Sequence, residues 1–223
     1  MDPAEVAPVI DVHPPHEPIH GWRDFFLHLT TITIGLLIAL GLEGCVEWMH
    51  HRHLVHEAET SLHAEIRGHA QEMAGYIVLL HTNQEELKKD VVILKYLIKN
   101  KKLPEHSSLT ITFHIDTIND VSWKTAQSTT ALSYMPFAQV QEYADIYSTQ
   151  DELNAAEQQA ARDAILSLAP FMNMQKDDPD PSAEEAIAMK QKIEILQGQL
   201  LLVDNLAKSL DGEYKKYLAA HPE

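Results

Sequence analysis

The chain has 223 residues, the size of one ordinary domain plus an attachment. With 33 acidic against 17 basic residues its net charge is -16, which repels phosphate backbones and excludes nucleic acid as a partner. A single cysteine, Cys45, excludes an intrachain disulfide, and the scarcity of glycine, at 8, favours an all-α fold.

Residues 1–21 form an acidic tail rich in Pro and His, "HPPHEPIH" at its centre, with a disordered composition. Residues 22–49 then read as a transmembrane helix. From Phe25 to Leu42 the stretch "FFLHLTTITIGLLIALGL" carries no formal charge. Extended to Trp48, it meets the roughly 20 apolar residues that a bilayer core of about 30 Å requires. Trp22 and Trp48 bracket it as aromatic belts do, and Glu43 and Glu47 fall at its outgoing interface with His50, His51, Arg52 and His53. Thr31, Gly35 and Ala39 recur every four residues, the spacing of a small-residue seam at which two membrane helices approach closely. "LEGC" before Val46 has the outline of a lipoprotein cleavage box. Glu43 in place of a small residue, the acidic leader and the long apolar run argue instead for an uncut anchor. Arg23 on one side and Arg52 and Arg67 on the other leave the positive-inside count nearly balanced.

Residues 50–103 read as a long juxtamembrane helix. Its apolar stripe runs Ala58, Leu62, Ile66, Ala70, Met73, Ile77, Leu80, Leu87, Val91, Leu94 and Ile98, with Gln84 as a polar exception. Gly68 and Gly75 weaken it, and "KNKK" before Pro104 ends it. Residues 104–223 supply the rest of the bundle. An extended connector over 104–117 leads to a short helix over about 118–132, capped by Asp116 or Thr117 and carrying Trp123. A third helix restarts at Ser133 and Pro136 and runs to about Asn173. "KDDPDP" is a loop, and Ser182 with Glu185 forms a capping box for a last helix. That helix presents Ile187, Ile193 or Ile195, Leu196, Leu200, Val203, Leu206, Leu210, Tyr214 and Tyr217. The predicted fold is all-α: one N-terminal transmembrane helix continuing into a long juxtamembrane helix that packs in an antiparallel helical bundle.

Six of the 14 histidines lie between residues 50 and 69. His56, Glu59 and His63 share one helical face at steps of three and four. Such a set binds a metal or answers pH, since histidine changes charge near pH 6.5. A di-iron bundle needs Glu-x-x-His on two helices, and only Glu47/His50 and Glu17/His20 have that spacing, neither in the bundle core. The chain lacks His-Glu-x-x-His, Gly-x-Ser-x-Gly and phosphate-cradling loops, so no enzyme, resident metal or cofactor is expected. Trp123, Tyr143 and Tyr147 are candidates for a packing or binding face.

The segments "FFLHLTTITIGLLIALGLE", "HEAETSLHAEI" and "VSWKTAQSTTALSYMPFAQVQEYADIYSTQ" together resemble those of uncharacterised bacterial single-pass membrane proteins. Those proteins carry an N-terminal transmembrane helix and a helical domain of unknown function. The resemblance implies an inner-membrane protein with a periplasmic C-terminal domain. The expected function is a membrane-anchored helical scaffold or interaction protein without catalytic activity. Its partners would be membrane lipid and a second copy or another membrane protein. The alternatives are a partner-dependent sensory or pH-responsive module and a His/Glu metal-binding protein.

Overall fold

In a computed structural model the protein is all-α; it describes residues 21–107, 109, 117–168 and 180–222. The N-terminal tail, most of the 104–117 connector with Asp116, and most of the "KDDPDP" loop lie outside the described residues. The elements in order are α1 (Trp22–Asn100), α2 (Val121–Ser128), a 3₁₀ turn (Ala131–Tyr134), α3 (Phe137–Leu168) and α4 (Ala183–Ala220). The chain divides into two compact units, residues 1–51 and 52–223.

In the first unit, residues 22–51 of α1 are helical, and residues 21–50 are exposed throughout. The helix satisfies its own polar side chains. The hydroxyls of Thr30, Thr31 and Thr33 donate to the carbonyls of Phe26, Leu27 and Leu29 at 2.8, 2.9 and 2.8 Å. This back-bonding satisfies each of these threonine donors within the helix itself.

The second unit buries one continuous core built on a seven-residue spacing. In α4 two columns are buried: Ala186, Ile193, Leu200, Ala207 and Tyr214, and Met189, Leu196, Val203, Leu210 and Tyr217. In α1 one column is apolar, Ile66, Met73, Leu80, Leu87 and Leu94, whereas the other alternates character: Leu62, His69, Asn83, Asp90 and Leu97 are buried and Tyr76 is half-buried. This register corrects two expectations for α4. Ile187 and Ile195 are exposed, because Ala186 and Ile193 hold the inward positions.

Side-chain pairs fix the directions. His81 meets Asp204, Gln84 donates to the Leu200 carbonyl, and His69 faces Tyr214, so α4 runs antiparallel to α1. Tyr143 with Tyr217 and Asp163 with Gln199 make α4 antiparallel to α3 as well. Glu59 with Gln139, Glu65 with Tyr147 and Tyr76 with Glu157 show α1 and α3 running parallel. The parallel pair follows from the connection. The chain leaves α1 at Asn100 and re-enters the bundle at Ile118, whose N–H donates to Asn154 Oδ1 near the level of Tyr76. That return covers about 36 Å of helix at 1.5 Å per residue.

The boundaries have local causes. Lys101, at φ 56°, takes the left-handed conformation that ends α1, and its N–H bonds the Leu97 carbonyl. α2 starts at Val121, later than expected, with Asp120 in the capping position and ion-paired to Lys124 at 2.9 Å. Thr130, at φ 61°, breaks the chain between α2 and the 3₁₀ turn, so the expected 118–132 helix is two shorter pieces. Pro136 precedes α3 and its carbonyl accepts from Gln139 and Val140. At α4 the expected capping box forms: Ser182 Oγ accepts from Glu185 N–H and Glu185 reaches back to Ser182 N–H at 2.7 Å.

Candidate functional site

Among the described residues, α1 contains one stretch long and apolar enough to cross a membrane, and none of its side chains is buried. Trp22, Phe25 and Phe26 cluster at its start, with centroids 5.2 to 6.1 Å apart. Thr31, Gly35 and Ala39 lie exposed on one face, and a Cβ added at Gly35 would meet nothing within 4 Å. Trp48, Glu43, Glu47 and His50 are exposed near its other end, and Cys45 is exposed among them. The interfacial residues pair along the helix: His51 with Glu47 at 3.9 Å, and, within the second unit, His53 with Glu57 at 3.2 Å. Arg52 is exposed.

His56, Glu59 and His63 stand together on the wall of a cleft of about 510 Å³, joined by residues from α3 and from the C-terminal end of α4. Glu59 Oε1 accepts from Gln139 Nε2 at 2.8 Å. His63 Nε2 lies 2.8 Å from Arg67 Nη2. A guanidinium only donates, so this histidine nitrogen is the acceptor. The His63 ring lies 5.6 Å from that of Tyr217, and the Tyr217 ring 4.6 Å from that of His221. His221 in turn meets Glu142 at 3.0 Å. The hydroxyls of Tyr143 and Tyr217 share a hydrogen bond of 2.9 Å. Burial pushes both hydroxyls above the usual tyrosine range, so neither ionises near neutrality.

Deeper in the bundle Glu65 ties three helices together. Its Oε1 accepts from Tyr147 Oη at 2.7 Å and its Oε2 from the N–H of Ser122, in the first turn of α2, at 2.8 Å. Burial first, and then the bond to Glu65, raise the Tyr147 hydroxyl far above its ordinary range. Trp123 stacks on Tyr147 with centroids 5.1 Å apart and planes 7° from parallel. Trp123 and Tyr147 thus pack on each other, and Tyr143 and Tyr147 are buried, with Tyr143 also on the wall of the first cleft. Next along, Tyr214 Oη donates to Gln150 Oε1 at 2.9 Å, and Gln150 Nε2 donates to the Asn119 carbonyl at 2.7 Å.

Glu65, Gln150, Glu157 and His221 take parts that the sequence did not announce. The available signal was the spacing. Tyr143, Gln150, Glu157 and Ala164 are seven apart in α3, so Gln150 and Glu157 occupy inward positions despite their polarity. Among the described residues no three His, Cys, Asp or Glu side chains converge as a metal site requires. Compared with protein-family models, curated proteins and solved structures, the chain matches none.

Proposed function

We propose that this protein is a single-pass membrane protein of bacteria. Residues 22–49 anchor it, and residues 52–223 form a helical interaction module without catalytic activity, held at the surface of the inner membrane. One observation carries the reading: among the described residues, the apolar stretch of α1 buries none of its side chains. A core helix of a soluble domain covers its apolar face with other elements, whereas a helix apolar all round needs lipid. The small-residue face at Thr31, Gly35 and Ala39 then offers a seam for a second copy or another membrane helix. Trp22 and Trp48 sit at opposite interfaces, and Glu43, Glu47, His50, His51, Arg52 and His53 form the polar collar beyond.

Alkaline extraction of membranes tests the anchor. The full chain is expected to stay in the membrane fraction and a chain starting at residue 52 to be soluble. A full chain released by alkali would refute the reading. Protease access at the C-terminus then fixes the compartment, expected to be periplasmic.

A second reading, a pH-responsive module, has its own support in the cleft of His56, Glu59 and His63. Protonated His63 cannot accept from Arg67, and it would set two cations side by side. The other charged groups facing this cleft, Glu59, Glu142, His56 and His221, would redistribute in response. Binding of the chain from residue 52 to anionic vesicles is expected to strengthen from pH 8 to 5 in the wild type and to strengthen less in His63→Gln.

A further inference from the structure

A second cleft, of about 540 Å³, opens along α1 one to two turns beyond Glu65, between that helix and the chain at residues 117–119. Its volume suits a small molecule. Three features of α1 set its character. His69 lies on its wall with only 9% of its surface exposed, and its Nδ1 finds no hydrogen-bond partner among the described residues. A buried polar atom left without a partner is costly, and native structures keep few of them. Burial holds His69 below the usual histidine range against the raising pull of Glu65 and Glu72, so the ring is neutral and offers a lone pair. Gly75 lies on the same wall, mid-helix, where glycine weakens a helix. A Cβ there would meet nothing within 4 Å, so open space, not crowding, surrounds it. Tyr76 completes this side. Its hydroxyl donates to the buried Glu157, which fixes the ring in place.

The charge on the wall has one sign. Glu72 supplies a carboxylate, and no lysine or arginine is among the described lining residues. Met73 and Ile118 add apolar surface, and Tyr76 adds an aromatic ring, a group that attracts cations. From this arrangement we propose that the cleft binds a small organic ammonium ion, an apolar body of a few carbons bearing one protonated amine. The amine would lie beside the exposed Glu72, with the His69 ring in the wall behind it, and the carbon body against Met73, Gly75 and Tyr76. A carboxylate ligand would meet Glu72 with no opposing cation among the described lining residues.

The proposal is independent of the membrane anchor and is tested apart from it. Calorimetric titration of the full chain in detergent micelles would use n-butylammonium, n-butanol and butyrate as probes. The ammonium is expected to bind one to one with Kd at or below about 1 mM, the alcohol at least about tenfold more weakly, and butyrate not at all. Gly75→Leu fills the open space with a better helix former; it is expected to abolish binding without lowering the unfolding temperature. Because detergent is identical in both titrations, that variant also removes partitioning as an explanation. Should Gly75→Leu fail to fold, the exposed Glu72→Gln decides the matter: about a fivefold or greater loss of ammonium affinity supports the site. No saturable binding of n-butylammonium, equal binding of butyrate, or unchanged binding by Gly75→Leu or Glu72→Gln would overturn it.

Discussion

Two parts of the same helix, residues 22–51 and 52–100 of α1, obey different rules. The first part is apolar on every side and exposes every residue as far as His50. The second buries columns seven apart within the bundle, with Val78 and Val92 as exposed apolar exceptions. Total apolar content does not separate a core helix from a membrane helix as well as its angular distribution does. A core helix spends apolar residues only where another helix covers them, whereas lipid covers all sides at once. The two parts should therefore fail independently, each under the change that offends its own surroundings.

The largest separation is expected from charges placed in the first part. Leu36→Arg with Ile38→Arg costs about 5–7 kcal/mol of insertion at roughly 3 kcal/mol per residue near a span's centre. The double variant is expected to leave the membrane fraction on alkaline extraction, while the thermal unfolding midpoint of the bundle stays within error. The reciprocal change is Leu200→Ala, at a fully buried position of α4. It is expected to destabilise the bundle by about 3 kcal/mol, read from denaturant unfolding of the chain from residue 52, and to leave membrane retention untouched in the full chain. If either variant moved both readouts, the two parts would not be independent.

How much of this could be read in advance follows the same division. The apolar run and its flanking Trp22 and Trp48 are local signals, legible without any tertiary contact. So is the Ser182–Glu185 capping box, since both of its hydrogen bonds close within four residues. The apolar column of α1 was legible too, because Ile66, Met73, Leu80, Leu87 and Leu94 announce themselves by hydropathy. The second column was not. His69, Asn83 and Asp90 are inward only because helices distant in sequence close over them. Buried polar residues are invisible to a method that equates inside with apolar. The parallel course of α1 and α3 was likewise hidden, since it depends on where the chain re-enters at Ile118. Of the site residues, His56, Glu59 and His63 were legible as one helical face. Their partners Gln139, Tyr217 and His221 come from α3 and the end of the chain, so no local pattern links them.

Glu157 turns this hidden polarity into a pH effect confined to the bundle. Burial pushes its carboxyl up to about 8, with Tyr76 donating to one oxygen and the other left without a partner. The folded state thus holds a proton that the unfolded chain releases near the ordinary value of 4.5. Stability from this residue is fully present below about pH 4.5, falls as pH rises, and is lost by about pH 8. Glu157→Gln imitates the protonated form at every pH. It is expected to match the wild type at pH 4.5 and to exceed it by about 3 kcal/mol at pH 7, at 1.36 kcal/mol per pH unit. Denaturant midpoints across that range check it; parallel curves for the two proteins would show that Glu157 is ionised in the fold. Alkaline extraction of the full-length variant should be unaltered, because the carboxyl belongs to the second unit alone.

The smallest expected effect lies at the start of α4, where the capping box closes on itself. Ser182 Oγ satisfies Glu185 N–H and Glu185 satisfies Ser182 N–H, two amides that the helix itself leaves unpaired. The Glu185 carboxyl is held below the usual range by those bonds to Ser182, so it is an anion at neutral pH, near the positive end of the helix dipole. Ser182→Ala removes one of the two bonds and is expected to cost about 1 kcal/mol. About one turn of helix separates the cap from Ala186, and about two turns from Met189, the first buried residues of α4. The loss should therefore appear first as faster amide exchange over residues 183–186, with Leu200 and beyond still protected. If exchange rose uniformly along α4 instead, the helix would open as one unit, and the seven-residue columns, not the cap, would set its N-terminal stability.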